Sequence, residues 1–97
     1  MTRFRLDIPP AVAAVLRHLP PELKRSIKNA LRALAENPSL GQPLRRELEG
    51  LWKYRVRRFR IVYSIDRTSR VLRIPGVGHR SRIYTAGALK NVPKEIR

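Results

Sequence analysis

Tyr54, Val56, Phe59, Ile61 and Tyr63 are apolar positions set among the cations Lys53, Arg55, Arg57, Arg58 and Arg60. This period of two predicts two short β-strands joined at a tight turn. With Arg57-Arg58 as a two-residue hairpin loop, Val56 lies opposite Phe59, Arg55 opposite Arg60, Tyr54 opposite Ile61 and Lys53 opposite Val62. Side chains alternate between the faces of a strand. Lys53, Arg55 and Arg60 therefore share one face, and Tyr54, Val56, Phe59, Ile61 and Tyr63 share the other. Three cations converging on a sheet face form a natural seat for an anion, above all a phosphate.

The remaining pattern surrounds this hairpin with other elements. Thr2 to Ile8 alternates polar and apolar residues and predicts a first strand, with Phe4, Leu6 and Ile8 on one face. Pro9-Pro10 ends it, and Pro10 suits the first turn of a helix. Val12, Val15, Leu16 and Leu19 follow helical spacing. Pro20-Pro21 stops that helix and starts another, running from Pro21 to Glu36 with Leu23, Ile27, Leu31 and Leu34 along its apolar stripe. Lys24, Arg25, Lys28 and Arg32 lie on its outer face, and Asn37-Pro38 ends it. Ser39 to Pro43 reads as a loop, and Leu44 to Gly50 as either a helical turn or an approach to the sheet. After the hairpin, Asp66 to Ser69 makes a turn and Val71 to Val77 a strand. Pro75 inside that run calls for an edge, a bulge or an early strand end. Arg80 to Tyr84 predicts a last short strand, and residues 85–97 a weak helix or tail. The fold class is α+β: an N-terminal strand, a two-helix hairpin, then a mainly antiparallel three- to four-stranded sheet packed on the helices. Residues 1–97 form a single domain.

Composition sharpens the choice of partner. The chain has 97 residues, 22 Lys and Arg against 7 Asp and Glu, and a formal net charge of +15. That balance favours a polyanion: nucleic acid, an anionic surface or an acidic protein. No apolar run is long enough to span a membrane, and no signal-peptide core opens the chain. The chain has no cysteine, which fits a cytoplasmic protein without disulfides. Between Glu49 and Glu95 the one carboxylate is Asp66, and the two histidines are His18 and His79. Oxygen-ligand cation sites and zinc sites lack their ligands in such a sequence. The expectation is therefore no metal and no cofactor. His18 suits a cap or surface position, and His79 a packing or turn role.

The pattern resembles the RelE/ParE superfamily of toxins from type II toxin–antitoxin modules. Three elements carry the resemblance. One is the strand–helix–helix start with Leu19-Pro20 before the second helix. The next is Leu48-Glu49-Gly50-Leu51-Trp52-Lys53-Tyr54-Arg55-Val56-Arg57-Arg58-Phe59-Arg60-Ile61-Val62-Tyr63. The last is Val77-Gly78-His79-Arg80-Ser81-Arg82-Ile83-Tyr84. Together they span nearly the whole chain.

The resemblance to RelE-type members implies a metal-independent endoribonuclease that cleaves mRNA in the ribosomal A site, with attack of a ribose 2′-hydroxyl on the adjacent phosphate. By carry-over, Lys53 or Arg55 would sit near the 2′-hydroxyl and Arg60 would clamp the phosphate. Arg80 would serve as a clamp or as proton donor to the leaving oxygen, and Tyr84 would stack on a base or orient the substrate. Arg57, Arg58, Arg82, Lys24, Arg25 and Lys28 are further candidates for RNA phosphates. RelE carries a lysine at the position of Arg55, and arginine, which stays protonated, is a poor general base. Arg57-Arg58 also replaces the family's usual Gly-Asp turn. The resemblance to ParE-type members implies instead an inhibitor of DNA gyrase that cuts no RNA. A third reading is a degenerate nucleic-acid-binding or antitoxin-binding module. The toxin readings imply a cognate antitoxin as partner, a protein with an acidic or amphipathic segment.

Overall fold

The computed structural model describes residues 3–45, 50–79 and 82–85, the last four as backbone. Strand β1 (Arg5–Asp7) leads into helices α1 (Pro10–Arg17) and α2 (Pro21–Glu36). A 3₁₀ turn (Pro38–Leu40) and a two-residue strand β2 (Gln42–Pro43) follow. Then come β3 (Leu51–Val56), β4 (Phe59–Asp66), β5 (Val71–His79) and β6 (Arg82–Thr85).

Both helices start at the second proline of a Pro-Pro pair. There the missing N–H is one the helix could not have used, and φ is already set. The carbonyls of Pro9 and Pro20 accept the first helical bonds, from Ala13 and Lys24. His18 caps the C-terminus of α1 and is exposed, the position its sequence context suggests. Along α2, Ile27, Ala30, Leu31, Leu34 and Ala35 are buried. Each large apolar side chain among them contributes about 1.5–3 kcal/mol on burial, so tertiary packing rather than helix propensity holds α2 in place.

The helices cover one face of the sheet. Ile27, Leu31 and Leu34 meet Ile61, Tyr63, Leu72, Ile74 and Val77, with Trp52, Tyr54, Val56 and Phe59 half-buried around them. Strands run in the order β1-β5-β4-β3-β2, and β6 also pairs with β5. β1 lies parallel to β5, and the remaining pairs are antiparallel. The α+β class and element order match the expectation, and the sheet is six-stranded. The added width comes from short segments at its margins. Gln42-Pro43 joins β3 through backbone pairing, with no alternation of its own to announce a strand.

The hairpin register is the one the alternation predicts, from Lys53 opposite Val62 to Val56 opposite Phe59. At the turn, Arg57 has φ +57°. Of the two turn residues it alone takes the left-handed region, where a side chain costs about 1–2 kcal/mol. Glycine there would lose roughly 0.5–1 kcal/mol in chain entropy. Arg57→Gly is therefore expected to stabilise the fold by about 0.5–1 kcal/mol, read as a higher urea midpoint at unchanged slope.

Pro75 sits at a bulge. Val62 pairs with Gly76 and Ser64 with Arg73, leaving Ile74 and Pro75 together opposite Tyr63. Of the three accounts of Pro75, the bulge holds, and β5 runs on through His79 in the interior of the sheet. The next turn is held by Asp66, whose carboxylate accepts from the Ser69 amide at 3.0 Å and from Arg73 at 3.1 Å. Those bonds hold its carboxyl below the usual range. The predicted tail after Thr85 lies outside the described residues.

Candidate functional site

Cross-strand pairing fixes three of the predicted cations. Arg55 and Arg60 are direct partners across β3 and β4, and Lys53 is two residues back along β3. They share the face turned away from the helices, and all three line one cleft of about 270 Å³. Across β4 from Arg55, Arg60 neighbours Gly78 of β5. Arg55 is exposed, and its Nε donates to the Arg57 carbonyl at 3.4 Å, which turns it towards the hairpin loop. Lys53 and Arg60 are half-buried.

Leu40, Gly41, Gln42 and Tyr54 also line the cleft. Among the described residues, no carboxylate lines it. On the same face of the sheet, Asp66 and Asp7 are engaged elsewhere, with Arg73 at 3.1 and 3.7 Å. The cleft's three cations combine a planar fork geometry with a point charge, and both suit phosphate oxygens.

The wall formed by residues 40–42 is held by Tyr63. This side chain is fully buried, stacks with Trp52 at 6.2 Å, and reaches past β3 with its hydroxyl. The hydroxyl donates to the Pro38 carbonyl at 2.7 Å and accepts from the Gly41 amide at 3.0 Å. A methyl at Gly41 would come within 2.5 Å of the Lys53 carbonyl oxygen and closer still to the Tyr63 hydroxyl. Glycine is therefore what allows the wall to lie against the hairpin.

Burial pushes the Tyr63 phenol above its ordinary value of 10.0, the Gly41 amide pulls it partly back, and Tyr54 adds a smaller upward push. The native state holds this proton more tightly than the unfolded chain does. Its stabilising contribution is complete below pH 10.0 and is lost as pH rises towards the folded value. Unfolding by urea across alkaline pH is expected to show a stability loss above pH 10 that is smaller in Tyr63→Phe.

Other predicted residues lie apart from this cleft or outside the described set. Lys24 and Lys28 line a separate groove between the helices, with Ile8, Leu16, Arg17, Ile27 and Leu31. Arg25 is exposed on α2, and Arg57 and Arg58 are exposed at the hairpin turn. His79 meets Phe59 edge to face at 6.0 Å, in keeping with a packing role. Arg80 lies outside the described residues. Arg82 and Tyr84 are described through their backbone, which pairs with His79 and Val77. Sequence reasoning missed Leu40, Gly41, Gln42 and the Tyr63 hydroxyl. Gly41 and Pro43 signalled a loop, and nothing local indicated what the loop would lean on.

A family model described as the ParE toxin of type II toxin–antitoxin systems, parDE, matches residues 10–84. No curated protein matches the chain in sequence. Among solved structures, the RelBE2 toxin–antitoxin complex from Mycobacterium tuberculosis is 28% identical with a TM-score of 0.74, covering 84% of this chain and 97% of that one. The intact E. coli RelBE toxin–antitoxin complex is 22% identical with a TM-score of 0.69, covering 78% and 95%. The archaeal RelE–RelB complex from Pyrococcus horikoshii is 19% identical with a TM-score of 0.64, covering 90% and 99%. At the two lower identities the likeness is one of fold.

Proposed function

The chain belongs to the ParE toxin family of type II toxin–antitoxin systems, and on that premise we propose that it is a metal-independent endoribonuclease whose cationic cleft cleaves mRNA in the ribosomal A site. One observation carries this reading: Lys53, Arg55 and Arg60, from two paired strands, line a single cleft. The 28% identity to the RelBE2 complex supports it further.

The chemistry suits these side chains. The ribose 2′-oxygen attacks the adjacent phosphorus as the bond from phosphorus to the 5′-oxygen breaks. The 2′-hydroxyl gives up a proton and the departing 5′-oxygen receives one. Negative charge builds on the phosphoryl oxygens between these events, and fixed cations stabilise it more than they stabilise the ground state. Arg60 holds the phosphate, Lys53 or Arg55 faces the 2′-hydroxyl, and Arg80 and Tyr84 complete the set at the leaving oxygen and the base.

A cognate antitoxin is the protein partner, a reading favoured by the toxin–antitoxin complexes among the similar structures. The protein acts in the cytoplasm, where mRNA on the ribosome is found. Among the described residues, no helix is long and apolar enough to cross a membrane.

The ParE family match favours a second reading, in which the same fold inhibits DNA gyrase and cuts no RNA. The discriminating experiment is cleavage of ribosome-bound mRNA by purified protein in EDTA. Cuts within the A-site codon are expected. Intact mRNA, together with inhibition of supercoiling by the same folded protein, would replace this reading with the gyrase one.

A further inference from the structure

The wall facing the cations is chemically unlike them. It is the run Leu40-Gly41-Gln42, from the end of the 3₁₀ turn into β2. Leu40 is 46% exposed, the one large hydrophobic side chain left open to solvent among the described residues. Gln42 is also exposed, and it pairs in register with Lys53. Directly opposed residues on antiparallel strands project to the same face. The Gln42 carboxamide therefore stands beside Lys53 on the cationic side.

A bare phosphate site calls for neither an apolar side chain nor a carboxamide. A nucleobase uses both. Its faces are apolar, and its edges carry donors and acceptors that a planar amide can match with two N–H groups and a carbonyl. The cleft, at about 270 Å³, has more space than the five heavy atoms of a phosphate fill. The wall is also fixed in place. The Tyr63 hydroxyl ties the backbone at Pro38 and Gly41, one on each side of Leu40, to the interior strand β4.

We infer that Leu40 and Gln42 form a base-recognition wall. The base next to the bound phosphate lies against Leu40 and presents its edge to the Gln42 carboxamide, which makes Gln42 a specificity-determining residue for single-stranded RNA. This rests on the reading of the cleft as an RNA site.

The test is a binding titration with the full chain, separate from any cleavage assay. The probes are short single-stranded oligonucleotides of equal charge, one for each of the four bases and one without bases. Non-cleavable backbones keep binding apart from chemistry. Wild type, Gln42→Leu, Leu40→Ser and Arg60→Ala are compared at physiological salt, where sequence-independent charge attraction is reduced. Leu40 and Gln42 are exposed, so their substitution leaves the core intact, and equal thermal midpoints will verify this.

The wild type is expected to prefer one base and to bind the abasic strand least. Gln42→Leu should reduce the discrimination among bases by roughly five- to 100-fold. Leu40→Ser should narrow the gap between base-bearing and abasic strands, and Arg60→Ala should weaken all of them alike. Equal wild-type binding to every probe overturns the inference and leaves the phosphate cleft standing. An unchanged base preference in Gln42→Leu also overturns it. A base preference that Gln42→Leu abolishes, in a protein that cuts no mRNA, supports the wall and overturns the nuclease reading. Failure to bind any probe overturns both.

Discussion

Arg60→Ala is expected to lower single-turnover cleavage of ribosome-bound mRNA by roughly 10²–10³-fold, with a thermal midpoint close to wild type. The position of the residue argues for a loss of that size. Arg60 sits on β4, paired on one side with Arg55 and on the other with Gly78. A strand flanked on both edges holds its side chains in place better than a loop does. On the proposed mechanism, a guanidinium carried on such a strand would need little reorganisation as charge develops on the phosphate. Arg60→Lys should recover part of the rate, because it restores the charge without the two-pronged geometry. Lys53→Ala should also slow the reaction. If both residues act on one transition state, the double variant will lose less than the product of the single losses. Cleavage by Arg60→Ala at the wild-type rate would remove the phosphate clamp from the mechanism.

The hairpin was legible because one physical rule settles it. A side-chain period of two, with apolar residues at Tyr54, Val56, Phe59, Ile61 and Tyr63, leaves one register that buries them together. That register in turn sets Lys53, Arg55 and Arg60 on the opposite face, and all three line the cleft. The strained φ of Arg57 is the cost of placing arginine where the turn favours glycine or asparagine. The helices were legible from their paired prolines and apolar stripes. The far wall of the cleft was not. Gln42-Pro43 is too short to show alternation, and its partner strand lies beyond a loop. The bond from Gly41 to Tyr63 spans 22 residues and joins a backbone amide to a phenol. Neither residue's local pattern encodes it. Tyr63 read as a core residue, which it is; its hydroxyl serves the site as well.

That long-range bond makes Gly41→Ala the substitution with the largest expected effect on stability. The added methyl meets two neighbours that cannot easily yield. One is the Lys53 carbonyl oxygen at 2.5 Å, in the backbone of the strand pair that builds the cleft. The other is the Tyr63 hydroxyl, closer still, on a fully buried side chain already stacked against Trp52. Overpacking of this kind costs about 1–3 kcal/mol. If the wall retreats to relieve it, the Gly41 amide and the Tyr63 hydroxyl lose each other, at a further cost of about 1–3 kcal/mol for groups left unpaired. A combined loss of about 2–6 kcal/mol corresponds to a fall in melting temperature of roughly 10–30 °C for a domain of this size. Tyr63→Phe removes one of the two obstacles, so the double variant should be less destabilised than the sum of the single variants. The wall carries Leu40 and Gln42, so its retreat should also weaken RNA binding in Gly41→Ala at temperatures where the protein remains folded. A melting temperature within a few degrees of wild type would mean that the wall can shift freely, and a wall that shifts freely could not read a base.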